Sequence, residues 1–326
     1  MKSNRLTALI LNNTTEILFV FLFVVFGLIA PRFFTVKNFE IILGNASYIG
    51  IIAVGMTFVL LTGGIDLSVG STMYLSAVVC GKLINIAGFP IPLAILICLL
   101  VGIGVGSFNA FAVTRLKLVP FITTLITMTL ARGIGLFITR SKAVDYPETI
   151  TLMSTVKVFG LIPLHIFIFG VVVAAASIYL RKTAPGRQLY AVGNDLEAAN
   201  KAGIKSRKLI ASTYIISGFF AALGGFVSIT QLGRVNAGFG SGDEFDAIAA
   251  AVLGGASLFG GIGTVFPGTV LGTVMIQMIQ AGLVFSNVDL YLQPIIMALI
   301  IFLAVFIDSA RNIQLKKLER RNILKV

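Results

Sequence analysis

One histidine, two cysteines and thirteen acidic residues are all that 326 residues hold of the side chains most chemistry needs. That scarcity removes several classes of function. His165 is the sole histidine and has no convincing partner, so neither a Ser/His/Asp set nor a cluster with metal-ligand spacing can be assembled. No catalytic residue and no metal ligand is therefore assigned. Cys80 and Cys98 both lie within apolar runs, where a thiol behaves as a small hydrophobe, and no disulfide framework is implied. The chain also lacks a GxxxxGK[ST] loop, whose backbone amides and lysine a chain needs if it is to hydrolyse ATP itself. An ion-driven carrier usually keeps several carboxylates or histidines inside its spans. Here only Asp66 lies deep in apolar sequence, with Asp289 and Asp308 at the ends of runs. Energy for transport would have to come from another polypeptide, unless the protein is a passive channel, and no cofactor is expected on this chain.

What is abundant is apolar surface. Hydrophobic residues make up 57% of the chain and charged residues 12%, with a mean hydropathy of +1.00, more than one soluble core can hide. The net charge of +12 would suggest nucleic acid in a soluble protein. The basic residues gather instead in short segments between apolar runs, as the positive-inside rule requires, and no nucleic-acid partner is expected. Ten stretches approach the roughly 20 apolar residues of a crossing: 17–30, 47–61, 71–87, 92–113, 119–138, 162–180, 209–231, 247–259, 262–285 and 290–307. The expected fold is therefore an all-α polytopic membrane protein of about ten transmembrane helices, one permease domain over 1–326.

Lys2, Arg5, Arg115, Lys117, the basic residues from Arg181 to Lys208 and those from Arg311 to Lys325 then fall on one side. Arg32, Lys37, Arg140, Lys142, Lys157 and Arg234 fall on the other, so both termini are expected to be cytoplasmic. The first run ends in GLIAPRFF without a small-residue cleavage pattern and reads as an uncleaved helix. Tyr48, Tyr179, Tyr214 and Tyr291 each fall near the end of a span, as interfacial aromatics do.

Two segments interrupt the apolar pattern. In GIIAVGMTFVLLTGGIDLSVGS, residues 50–71, Gly63 and Gly64 break one run and Asp66, Ser68 and Gly70 start the next. Asp66 reads either as the N-cap of the third span, accepting the amide of Ser68 or Val69, or as part of a gate or pathway; the two roles are compatible. The polar loop 181–208 contains a short helix in which Asn194 and Glu197 read as an N-cap and N3 pair and Gly203 as the closing residue. The tail over 309–326 is basic.

Three stretches carry a family resemblance: residues 50–71, YAVGNDLEAANKAGI at 190–204, and FDAIAAAVLGGASLFGGIGTVFPGTVLG at 245–272. They resemble the membrane permease of bacterial ribose-type ABC importers, the branch that also carries other monosaccharides and the autoinducer-2 signal. The resemblance covers 38–308. It implies a multi-pass protein of the bacterial inner membrane that works by alternating access beside a second permease copy or paralogue. Its partners would be a tandem-domain cytoplasmic ATPase that uses ATP and Mg, a sugar-binding protein outside, and the membrane lipid. Glu197-Ala198-Ala199 with Gly203 is similar to the family's EAA-xxx-G coupling signature, so Asn194, Asp195, Glu197, Ala198, Ala199 and Gly203 are expected to meet the ATPase.

A path for a neutral sugar should be mildly polar. Gly63, Gly64, Asp66, Ser68, Gly70, Asn109, Thr123 and Thr127 are its candidates for gate or pathway, with Thr124, Gln277 and Gln280; helix-to-helix glue is the alternative role for the hydroxyl and amide groups. Arg140, Lys142, Arg234, Asp243 and Glu244 on outer loops could pair with the binding protein or remain solvated, and Arg132 snorkels outward or pairs locally. Import of autoinducer-2, a nucleoside or an amino acid, and action as a self-sufficient secondary carrier, stand as alternatives.

Overall fold

The computed structural model describes residues 14–30, 33–303 and 306; Lys2, Arg5, Arg32, Asp308 and the tail 309–326 lie outside them. Twelve helices matter here, in chain order. They are α1 (Thr14–Ile29), α2 (Val36–Leu61), α3 (Val69–Asn85), α4 (Ile91–Thr114), α5 (Pro120–Thr139), α6 (Leu164–Lys182), α7 (Ala184–Asn194), α8 (Leu196–Lys201), α9 (Ser206–Leu232), α10 (Asp243–Leu253), α11 (Val270–Phe285) and α12 (Gln293–Leu303). Of the ten stretches read from hydropathy, six fall on helices long and apolar enough to cross a membrane: α2, α4, α5, α6, α9, and α11 with the turn Val265–Thr269 before it. The other four fall on the shorter α1, α3, α10 and α12.

Local chemistry explains where the helices stop. Thr35 caps α2 by accepting the Asn38 amide, and α2 ends where Gly63 takes a left-handed φ of 73°. Pro90 precedes α4 and Pro120 opens α5, positions where a missing amide costs nothing. α9 ends at Gly233, also left-handed. Beyond it the chain turns back through 234–242 before α10 begins.

α9 forms the spine and packs along α4 and α2. Its contact with α4 is backbone on backbone, because a methyl on Gly102 would collide with the Gly218 carbonyl and one on Gly218 with the Gly102 carbonyl. Small residues of this kind let helices approach in lipid, where no hydrophobic force drives them together. Buried residues make up 78% of the apolar window of α2 but 22% of that of α4, which places α2 inside and α4 at the periphery. Side chains such as Phe137, at 85% exposure, cover the outside.

Two short antiparallel pairings close the loops. β1 (Val144–Asp145) faces β4 (Arg234–Val235), and β2 (Lys157–Val158) faces β3 (Ile162–Pro163). Arg234 pairs with Asp145 at 3.1 Å, an exposed ion pair of little energetic weight. Arg132 is paired locally: its guanidinium lies 4.7 Å from the centre of the Tyr74 ring and donates to the carbonyls of Ala237 and Phe239.

Candidate functional site

The break between α2 and α3 folds into a buried polar knot. Asp66 is 1% exposed. Its Oδ1 accepts the Ser68 amide at 3.0 Å and the Ser68 hydroxyl at 2.6 Å, while Oδ2 accepts the Ser217 hydroxyl of α9 at 2.8 Å. Asn109 of α4 donates to Ser68 Oγ at 2.9 Å and reaches Oδ1 at 3.5 Å. Thr124 of α5 donates to the Ile65 carbonyl at 3.1 Å. No lysine or arginine pairs with Asp66 among the described residues, so hydroxyl and amide donors alone offset the cost of burying its charge. The knot joins α3, α4, α5 and α9, which no single stretch of sequence displays.

Asp66 therefore accepts the Ser68 amide, as one sequence reading has it, although the residue preceding the helix is Ser68. Tyr214, read from sequence as interfacial, is fully buried instead, its hydroxyl against Gly64 and without a hydrogen-bond partner among the described residues. The reason is its place on α9: that face packs into the bundle, so the ring fills the space a side chain at position 64 would need.

A second junction lies beside the knot, and glycine makes it possible. A methyl on Gly193, near the end of α7, would collide with the Leu61 carbonyl and the Gly261 amide, and Gly261 N–H donates to that same carbonyl at 3.0 Å. A Cβ added to Gly260 would stand 2.8 Å from the Gly193 carbonyl oxygen and 3.0 Å from the Gly63 nitrogen. The end of α7, the end of α2 and the loop after α10 thus touch through backbone. Tyr190 donates to the Gly263 carbonyl at 3.0 Å; burial pushes its phenol pKa up, against the nearby Arg181, so it stays a donor. Tyr190→Phe should cost about 1 kcal/mol and lower the thermal unfolding midpoint of the purified protein slightly.

The short helix of the 181–208 loop is α8, but its cap differs from the sequence reading. Asp195, in an extended conformation, accepts the amides of Glu197 and Ala198, both at 2.9 Å. Asn194 is the last residue of α7, because that helix runs one residue further than the capping pattern suggested, and its side chain lies against Gly261. Glu197 pairs with Lys201 at 2.8 Å rather than reaching back to the cap. Ala199 is buried and Ala198 exposed, and Gly203 closes the segment with a φ of 79°.

The remaining candidates scatter. Gly70 sits where the starts of α3 and α10 meet, against the Gly240 carbonyl and the Glu244 carboxylate. Glu244 is 7% exposed, and its Oε2 has no partner among the described residues. Thr123 and Thr127 are buried on α5 and bond to carbonyls of their own helix. Gln277 and Gln280 line a cavity apart from the knot. Gly193 and Ser217 could not be found from sequence, where a single Gly or Ser in or near an apolar run carries no distinguishing signal. Among the described residues no three His, Cys, Asp or Glu side chains gather as metal ligands.

Comparison with known proteins gives a consistent set. The family model described as branched-chain amino acid transport system / permease component matches residues 38–307. The ribose import permease protein RbsC of Haemophilus influenzae is 37% identical over 305 residues, covering 92% of this chain and 94% of its own. The autoinducer 2 import system permease protein LsrC of Yersinia enterocolitica is 37% identical over 306 residues, covering 92% and 84%. RbsC of Escherichia coli K12 is 34% identical over 312 residues, covering 94% and 96%. No solved structure shows a significant match.

Proposed function

The chain belongs to the branched-chain amino acid transport system / permease component family, and from that premise we propose that it is the membrane-crossing subunit of an ATP-driven monosaccharide importer in the bacterial inner membrane. The sugar follows from the RbsC relatives. ATP and Mg are used by a tandem-domain cytoplasmic ATPase, a second permease copy or paralogue completes the pathway, and an outside binding protein delivers the sugar. Crossings are about ten, with both termini, the loop 181–208 and the tail 309–326 cytoplasmic.

The observation that carries the energy-coupling reading is the seat of the end of α7, directly before α8, on the glycine junction. α8 presents Leu196, at 49% exposure, and Ala198 outward, while Ala199 anchors it. A short, capped, exposed helix with small residues suits a cleft on another protein. A push on α8 would pass through α7 to Leu61 and Gly63, then through the break to Asp66, and so to α4, α5 and α9 together. Because packed backbones shift as rigid bodies, such a displacement is not absorbed locally. The covalent chemistry takes place on the partner alone.

Uptake by proteoliposomes holding this chain, the ATPase and the binding protein should require ATP, and the chain alone should neither hydrolyse ATP nor accumulate sugar. Accumulation by the chain alone on an ion gradient would instead establish a self-sufficient carrier. Ala198→Phe leaves the packed side of α8 intact, so membrane levels should be unchanged while ATPase recovered on a tagged permease falls severalfold. A second reading, import of autoinducer-2, is favoured by the LsrC relative at equal identity; competition between the two solutes for uptake separates them.

A further inference from the structure

Near the start of α10 the chain forms a half-open cavity of about 730 Å³ that the coupling route above does not use. Its polar wall comes from three helices: Asn45, roughly 14 Å along α2; Asp243 and Asp246, in the first turn of α10; and Gln277 and Gln280 on α11. Gln280 donates to Asp246 Oδ2 at 2.9 Å. Gln277 is different. It is 3% exposed and lines the cavity, yet it has no hydrogen-bond partner among the described residues. Its amide opens into the cavity rather than being sealed in protein, so it is free to exchange hydrogen bonds with an occupant.

No lysine or arginine lines the cavity. The two carboxyl groups accept, and the amides of Asn45, Gln277 and Gln280 both donate and accept. Ser241 and Gln293 add to the polar lining, and the remaining side chains are apolar, Phe285, Met297 and Ile301 among them. Carboxyl and amide groups that exchange hydrogen bonds with hydroxyls, opposite apolar side chains that cover C–H faces, are the chemistry that holds a polyhydroxylated ring. α10 supplies only 11 helical residues of its crossing, and the ends of such half-helices are where transporters place solute sites.

We infer that this cavity binds the sugar during its passage, with Asn45, Asp243, Asp246, Gln277 and Gln280 as the hydrogen-bonding groups; the inference rests on the importer reading above. Cys80 and Cys98 are buried, so a small charged methanethiosulfonate reagent reports on introduced thiols. Gln277→Cys, Asn45→Cys and, as a control in the exposed loop between α5 and α6, Thr155→Cys are made in the complete complex, with D-ribose as the probe, and D-ribose uptake is measured in parallel with the unsubstituted complex. Modification at positions 277 and 45 should be slowed severalfold by D-ribose, and that at 155 should be unaffected. Gln277→Leu should lower uptake severalfold at an unchanged amount of assembled complex. Uptake without protection at either cavity position would overturn the site. Protection without uptake would keep the site and overturn the importer reading. Absence of both would overturn the two together.

Discussion

Asp66→Ala is expected to leave little folded protein in the membrane. The carboxylate is the shared acceptor for the Ser68 amide, the Ser68 hydroxyl and the Ser217 hydroxyl. Its removal strands buried donors from α3 and α9 at once and empties the space it filled. Stranding such groups costs on the order of 3 kcal/mol, a large part of the net stability of a typical domain. The measurement is yield of monodisperse protein in detergent together with its thermal unfolding midpoint. Asp66→Asn gives the control. It keeps the shape and one acceptor oxygen, and the Ser217 hydroxyl can turn to accept from the new amide, so the loss should be about 1 kcal/mol. Wild-type stability for both variants would show that the knot does not hold the bundle together. Wild-type folding of Asp66→Asn with loss of uptake would assign the charge itself to the pathway.

Gly193→Val should abolish coupling rather than folding. Its side chain would enter the space held by the Leu61 carbonyl and the Gly261 amide, so α7 must move away from the end of α2. The hydrogen bond between Gly261 and Leu61 bridges the same gap and would be strained with it. Each long helix keeps its own packing, so the protein should still insert and still recover the ATPase, since α8 is untouched. Uptake per mole of assembled complex should fall more than tenfold, a loss of about 1.4 kcal/mol or more in rate terms, while ATP hydrolysis continues. Gly170→Ala is the matched control, because nothing lies within 4 Å of a methyl added there. Equal uptake by Gly193→Val and Gly170→Ala would remove the junction from the coupling route.

Much of this molecule was legible as a string of letters. The interrupted run at 50–71, the short polar helix at 196–201 and the apolar stretches that became helices all announce themselves through composition and period. Boundaries were less legible. The cap of α8 moved from Asn194 to Asp195 because both residues are good caps, and only the length of α7 decides between them. Tyr214 was misplaced for a related reason: a tyrosine near a helix end suits an interface or a core equally well, and packing of α9 chose the core. Ser217 and Gly193 had no local signature, since their roles consist entirely in what lies across from them.

Hydropathy and charge are properties of a segment against its solvent, so the order of apolar runs, the clustering of basic residues between them and the want of a GxxxxGK[ST] loop could be read one stretch at a time. Which backbones touch is a different kind of fact. The meeting of positions 61, 193 and 261, or of 66, 109 and 217, depends on how helices far apart in the chain cross. Only three-dimensional packing decides where a missing side chain becomes a contact and where a lone carboxylate finds its donors.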